Sequence, residues 1–124
     1  MTEEEKARFR QLKAEVSEQL QQGRSTYADR YRRALIETDK RIGDYVFGVI
    51  DHPDAHNLYE ILGVKRFLQM LDKYDWKPKR VKRFFKFYEA LRFSGIRGRT
   101  RYKLTPVQAY QFANIYGFAR EDGR

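Results

Sequence analysis

Residues 80–91 read Arg80-Val-Lys-Arg-Phe-Phe-Lys-Phe-Tyr-Glu-Ala-Leu91, and they contain the clearest helical pattern of the chain. Pro78 suits the first turn of such a helix, because its φ is already helical and it has no N–H to leave unpaired. The stretch predicts a helix with an aromatic face toward the core and a basic face toward solvent. The apolar residues that recur at spacings of three and four are Val81, Phe84, Phe85, Tyr88 and Leu91.

The residues that follow predict an irregular segment and then a second well-marked helix. Gly95 and Gly98 interrupt the helical pattern, and the alternation around them predicts a short β-hairpin or an extended loop near residues 96–103. Thr105 is then expected to cap a helix whose first residue is proline, with Gln108 three residues after the cap. This arrangement is a capping box, in which the two side chains satisfy each other's backbone N–H groups.

The N-terminal side of the chain also reads as helices. A helix capped by Thr2 carries a narrow apolar stripe and is expected to stop at Gly23, with a new helix starting at residue 25 or 26. We expect this first helix to pack along one seam or to project from the body. A break is expected near Thr38-Asp39, and residues 51–54 predict a turn and a further helix start. The stripe of the first helix consists of Phe9, Leu12, Val16 and Leu20.

These patterns predict an all-α fold, a compact bundle of about five or six helices with at most one short hairpin. We expect an N-terminal helix over residues 1–24, a helical domain over residues 25–118 and a polar tail over residues 119–124. A chain of 124 residues with 41% apolar residues can bury a core of its own. The absence of cysteine excludes disulfides and thiolate metal sites.

Positive charge is concentrated in one part of the sequence. The segment Lys77–Lys103, the basic segment, has eleven Lys or Arg against the single acid Glu89, whereas the whole chain has a net charge of +9. Concentrated charge of this kind indicates a polyanionic partner, and nucleic acid is favoured over an acidic membrane surface. The residues predicted to contact nucleic acid are Lys79, Arg80, Lys82, Arg83, Lys86, Arg97, Arg99, Arg101 and Lys103. The alternative is an ordinary solvated helix face.

The sequence contains few residues suited to catalysis. His52 and His56 lie near acidic residues, but their surroundings are typical of helix capping, and we predict no metal site. No phosphate-binding loop and no Ser-His-Asp set are present, so we expect no enzymatic activity from this chain alone. Phe84, Phe85, Tyr88 and Tyr110 are aromatic side chains that can stack on bases, but their helical spacing favours core packing.

The C-terminal half resembles the segment that precedes the ATPase core in phage terminase large subunits. The resemblance rests on the helix of residues 80–91, a glycine-containing loop, Leu104-Thr-Pro-Val-Gln108 and Ile115-Tyr-Gly-Phe118. It covers roughly residues 58–118, and residues 45–71 are loosely similar to the N-terminal helices of that family. Val107 stands where the family has a tryptophan, and the sequence ends before any phosphate-binding loop.

The resemblance implies an N-terminal accessory region of a DNA-packaging motor, in a parent protein that is an ATPase and nuclease. Gln108 then matches the glutamine that reads the adenine of ATP, and ATP and magnesium are cofactors of the parent motor. The implied partners are DNA, the remaining ATPase domain and neighbouring terminase subunits, in the cytoplasm of a bacterial host. From the residues alone, Gln108 is equally the third member of the capping box.

Two other functions remain open from the sequence. One is a stand-alone nucleic-acid-binding or regulatory protein of a phage or mobile element, without enzymatic activity. The other is a structural adaptor whose basic face docks an acidic protein surface. No apolar run approaches the roughly 20 residues that a membrane span needs, so no membrane partner is expected.

Overall fold

The computed structural model describes residues 2–90, 92–95, 98–101 and 104–119, and between 92 and 101 it describes the backbone alone. It confirms an all-α bundle with a short hairpin. In chain order the helices are α1 (Glu3–Tyr27), α2 (Arg33–Thr38), α3 (Lys40–Asp51), α4 (Leu58–Lys73), α5 (Pro78–Ala90) and α6 (Pro106–Tyr116). A π-helical turn, Ala28–Arg32, joins α1 to α2, and a 3₁₀ turn, Pro53–Ala55, precedes α4. The strands are β1 (Asp75–Trp76), β2 (Arg92–Gly95), β3 (Gly98–Arg101) and β4 (Phe118–Ala119).

The predicted helix stop at Gly23, with a restart at residue 25 or 26, is wrong. The helix continues through Gly23 to Tyr27, and the backbone stays helical through the π turn into α2. A side chain at position 23 would meet the Tyr27 ring, whose Cε2 atom lies 2.8 Å from the place of its Cβ. The glycine therefore makes room for a ring and does not end the helix. The predicted boundary after residue 24 falls inside α1.

The side chains of Asp39 and Asn57 cap the helices that begin at residues 40 and 58. Asp39 has an extended backbone with φ of −165°, and its side chain accepts a hydrogen bond from the Arg41 N–H, so the break near Thr38-Asp39 is confirmed. After α3, Pro53 begins only a single 3₁₀ turn. The α-helix starts later, at Leu58, because Asn57 supplies the cap by accepting from the Glu60 N–H at 2.9 Å.

The core lies between α3, α4 and α6, with α1 packed on α4 and α3, and α5 packed on α2 and α6. Helix α6 packs on α3, where Tyr110 contacts the Tyr45 ring, and it buries two small residues, Ala109 and Ala113. Of the larger residues of α6, Tyr110 is buried as well, whereas Val107, Ile115 and Tyr116 are exposed. The largest fully buried side chains include Leu20, Leu35, Ile42, Ile50, Ile61, Phe67 and Leu68.

A second two-stranded element was not predicted from the sequence. Strands β1 and β4 pair antiparallel, with Asp75 opposite Ala119 and Trp76 opposite Phe118. Each strand has two residues, which is too short to show the alternation of apolar and polar residues that identifies a strand in a sequence. Ala119, placed in the predicted polar tail, is instead buried in β4.

The predicted hairpin is confirmed, and it begins earlier in the chain than expected. Strands β2 and β3 pair antiparallel from Arg92 opposite Arg101 to Gly95 opposite Gly98. The prediction placed this element near residues 96–103, because the alternation that indicated it is that of Arg97, Arg99 and Arg101 with the residues between them.

Candidate nucleic-acid interface

The inner face of α5 fixes this helix to the body through aromatic packing. Val81 and Phe85 are buried in the core. Phe84 stacks on Tyr116, with ring centroids 4.2 Å apart, and lies 5.0 Å from the Phe112 ring. Tyr88 lies 5.3 Å from the same Phe112 ring. Since Tyr110 is also buried, the interpretation of these aromatic residues as core packing is confirmed, and the outer face of α5 is held rigidly.

The outer face of α5 presents four cations that we call the α5 basic stripe: Lys79, Lys82, Arg83 and Lys86. All four are exposed, and their spacing of three, four and seven residues places them together on the side of the helix opposite Val81 and Phe85. The stripe runs about 10 Å along the helix axis, from the rise of about 1.5 Å per residue. Among the described residues, no carboxylate forms an ion pair with any of the four. Arg80 is exposed beside the stripe.

The only carboxylate on α5, Glu89, is directed to an internal partner. Arg41 Nη2 of α3 donates to Glu89 Oε1 at 2.6 Å. The same guanidinium donates to both oxygens of Asp39, at 2.9 and 2.8 Å. Its Nη1 donates to the Leu104 carbonyl at 2.9 Å, and its Cζ lies 5.6 Å from the Phe85 ring centroid. One arginine thus joins the start of α3, the end of α5 and the entry to α6.

This arrangement shifts the pKa values of Arg41 and Asp39. Hydrogen bonds to Asp39 and Glu89 raise the pKa of Arg41, so the guanidinium stays charged. Burial raises the pKa of Asp39, but the Arg41 hydrogen bonds and charge outweigh it, and the net effect lowers that pKa below 3.8. The three side chains are partly buried, with 18% to 27% of their surface exposed. Arg41 and Asp39 are therefore both charged at neutral pH, and the positive charge of Arg41 is neutralised within the protein.

The remaining residues predicted to contact nucleic acid lie in and around the hairpin. Arg99 and Arg101 belong to β3, and the register places Arg99 opposite Ser94. Arg97 and Lys103 lie outside the described residues. The side chains of the predicted interface that the structure describes are therefore those on α5, and the hairpin follows α5 directly in the chain.

Gln108 forms the predicted capping box. Its backbone N–H donates to Thr105 Oγ1 at 3.3 Å, and its Oε1 accepts from the Thr105 N–H at 3.0 Å. In an adenine contact that uses both the amide oxygen and the amide NH₂ of Gln108, Oε1 either accepts a second hydrogen bond or gives up the one from the Thr105 N–H. The predicted capping role of Gln108 is confirmed. Its role in binding a nucleotide stays a prediction.

The Tyr116-Gly117-Phe118 stretch has a packing explanation. A Cβ at Gly117 would lie 2.6 Å from the Ala113 carbonyl oxygen and would also clash with the Trp76 ring. Phe118 packs edge-on against Phe67, with ring centroids 5.5 Å apart. Glycine is therefore required here by the indole of β1, whatever the stretch does in terminases.

Asp51, at the end of α3, and His56, just before α4, each form a pair. Asp51 makes an ion pair with Arg24, and His56 Nδ1 lies 2.6 Å from Glu60 Oε2. The hydrogen bond with His56 lowers the pKa of Glu60. Within the described part of the chain, no group of three or more His, Asp or Glu is arranged to hold a metal ion.

Comparisons of this chain with protein-family models, curated proteins and solved structures find no match. Across the described ranges, no helix has both the length and the apolar character needed to cross a membrane.

The sequence interpretation missed the role of Arg41. It carries a visible local signal, since Asp39 is a helix cap two residues earlier, but its contact with Glu89 spans 48 positions. No short-range pattern reports a contact of that separation. The isolation of Glu89 among basic residues was seen, but its partner was not.

Proposed function

We propose that this chain binds nucleic acid, with duplex DNA as the first candidate, through the α5 basic stripe. The observation that carries the proposal is the separation of charges on α5. Four cations face solvent without a described carboxylate partner, while the one acid of the helix is bound to Arg41. A face that is only solvated usually mixes both signs of charge.

The geometry suits contacts with a phosphate backbone. The stripe extends about 10 Å, and its long side chains can reach neighbouring phosphates of one strand, which rise about 3.4 Å per nucleotide along the DNA axis and also turn around it. The aromatic packing of Phe84 and Tyr88 holds the helix in place, so the cations extend from a fixed support. Contacts of this kind position a protein on DNA without reading its sequence.

An accessory role in a terminase-like packaging motor is the more specific form of this proposal. It is favoured by the Arg41 contacts, which join Glu89 of the DNA-facing helix to Leu104 at the entry of the capping-box helix. If DNA displaces α5, the Arg41 contacts would shift the start of α6 as well. Gln108 lies there, and the resemblance places the adenine of ATP at this residue. The parent motor would supply the phosphate-binding loop and the magnesium ligands.

DNA binding is tested by fluorescence anisotropy of a short labelled duplex with three proteins of equal purity. The variant Lys79→Gln, Lys82→Gln, Lys86→Gln should lose about tenfold or more in affinity. The matched control, Arg8→Gln, Arg10→Gln, Lys13→Gln, removes the same charge from α1 and should bind as the wild type does.

Equal losses in both variants would show that net charge, and not the α5 basic stripe, governs the affinity. An absence of duplex binding by the wild type at low salt would contradict the proposal and leave an acidic protein surface as the partner. The motor assignment has a separate test in the gene. An in-frame phosphate-binding loop encoded beyond Arg124 supports it, and a stop codon directly after that residue contradicts it.

A further inference from the structure

One aromatic side chain of α5 lies on the outer face of this helix. Phe87 is 62% exposed, whereas Phe85 is buried, and Phe84 and Tyr88 pack on a ring of α6. Among the described residues, neither another ring nor a cation is paired with the Phe87 ring. The packing of α5 on the body therefore explains the other aromatic residues of the helix and does not explain Phe87.

The surroundings of Phe87 on the helix surface are positively charged. Arg83 lies four residues before it, at the spacing that makes two side chains neighbours on a helix, and Lys86 directly precedes it. Both cations belong to the α5 basic stripe. Glu89 is turned to the opposite side of the helix, where it is bound to Arg41. Phe87 thus adds a flat apolar contact to the edge of a surface that attracts negative charge.

The segment of α5 that contains Phe87 is held in place by rings of α6. Phe84 lies three residues before Phe87, at a neighbouring position of the helix surface. The Tyr116 ring stacks on Phe84 with centroids 4.2 Å apart, and the Phe112 ring lies 5.0 Å from it on the same helix α6. The Phe87 ring therefore extends from a fixed backbone, and a flat partner loses little freedom of the protein when it binds there.

A nucleotide combines the two properties that fit this surface, an aromatic face and a charged phosphate. A base that stacks on Phe87 leaves its phosphate within reach of Arg83 or Lys86, because only the sugar separates the two groups. Stacking on an aromatic side chain tolerates every base, since each base has a π face. In an intact duplex these faces are covered by the neighbouring base pairs. A duplex therefore satisfies the α5 basic stripe but leaves the Phe87 ring in water.

We propose that Phe87 stacks on an unpaired base, and that the chain consequently prefers a single strand, or a strand that extends beyond a duplex, over an intact duplex. This inference rests on the proposed function, because the α5 basic stripe supplies the phosphate contacts, and it names the form of nucleic acid that the stripe binds. Contacts to phosphates alone favour the duplex, which has the higher density of charge. A preference for unpaired bases thus reports the contact with the ring.

Fluorescence anisotropy of the full chain with three labelled probes tests the proposal. The probes are a thymine single strand, an abasic strand of the same length and a duplex. The wild type should bind the thymine strand about tenfold more tightly than the abasic strand, which has the same number of phosphates. Phe87→Ala should lose most of this difference and should bind the abasic strand and the duplex as the wild type does. Phe87→Trp keeps an aromatic face and should retain the preference.

Two further measurements separate stacking from charge and from folding. The slope of log affinity against log salt concentration should be equal for the wild type and Phe87→Ala, because both contact the same phosphates. Tyr59→Ala removes a ring that is 73% exposed on α4, away from the stripe, and should leave the preference unchanged. Circular dichroism should show the same helix content in all variants, since both rings are exposed.

The failure of this inference differs from the failure of the proposed function. Equal affinity of the wild type for the thymine and abasic strands overturns stacking, while the phosphate contacts stand. So does a preference that survives in Phe87→Ala. A loss of duplex affinity in Phe87→Ala as large as its loss of thymine-strand affinity would assign the ring to insertion between base pairs and would also overturn the proposal. If the wild type binds none of the probes at low salt, both this inference and the proposed function are wrong.

Discussion

Arg41 and the α5 basic stripe have the same sign of charge in opposite surroundings. Arg41 donates to Asp39, to Glu89 and to the Leu104 carbonyl, so its charge is satisfied within the protein. The stripe cations are exposed, and no described carboxylate neutralises them. The two regions are linked, because Arg41 holds the only acid that α5 offers.

The partly buried contact between Arg41 and Glu89 determines the charge of the outer face of α5. With Glu89 bound inward, the outer face of α5 keeps an uncompensated positive field, and a polyanion gains by neutralising it. We therefore propose that Arg41 serves stability and that the cations of the α5 basic stripe serve DNA binding. Substitutions of Arg41 should act on folding, whereas substitutions of the stripe should act on binding.

The largest expected effect on stability comes from Arg41→Ala. This change leaves two partly buried carboxylates and one carbonyl without their donor, and it should lower the free energy of unfolding by about 2–3 kcal/mol. Urea unfolding followed by circular dichroism measures it. The control Arg33→Ala removes an exposed arginine whose ion pair with Glu37 lies within a single turn of helix, and it should cost under about 0.5 kcal/mol. Equal effects of the two changes would contradict the structural role of Arg41.

The pH dependence of stability should report on the same cluster. Since the pKa of Asp39 is lowered in the folded protein, its contribution is present above pH 3.8 and is lost as the pH falls through its folded value. We expect Asp39→Asn to lower stability at neutral pH by about 1 kcal/mol and to flatten the acid decline. Urea midpoints between neutral and acid pH measure the decline. An unchanged acid slope in the variant would assign the decline to other carboxylates.

The capping box should have a smaller effect. Gln108→Ala removes the acceptor for the Thr105 N–H and should cost between about 0.5 and 1 kcal/mol in thermal or urea unfolding. Gln108→Glu keeps an oxygen acceptor at that position and should retain most of the stability. A stability loss in Gln108→Ala without any change in the ATP affinity of a motor that contains this region would leave capping as the residue's only role.

The smallest expected effect on stability is that of the stripe itself. Lys82→Ala removes an exposed cation with no described ion pair, and the free energy of unfolding should change by less than about 0.5 kcal/mol. The same variant should bind duplex DNA more weakly. A destabilisation comparable to that of Arg41→Ala would break the distinction between the two kinds of cation.

Local patterns predicted the helices and their caps well where one residue decides the geometry. The Thr105–Gln108 capping box and the break at Asp39 both follow from side chains that bond within three positions. The apolar spacing of α5 likewise predicted which face is buried. These features depend on the sequence alone, because all of the interacting atoms are neighbours along the chain.

The features that were missed depend on contacts between distant segments. Gly23 was interpreted as a helix stop because glycine is common just after the end of a helix, but its role depends on where the Tyr27 ring lies. Strands β1 and β4 exist only because the turn after α4 meets the end of α6.

The central claim is that the α5 basic stripe contacts phosphates, and the salt dependence of duplex binding tests it most directly. Each phosphate contact contributes about 0.9 to the slope of log affinity against log salt concentration. We predict that Lys79→Gln, Lys82→Gln, Lys86→Gln reduces this slope by about 3 relative to the wild type, while Arg8→Gln, Arg10→Gln, Lys13→Gln leaves it unchanged. An affinity of the wild type that barely changes between low and moderate salt would contradict the account.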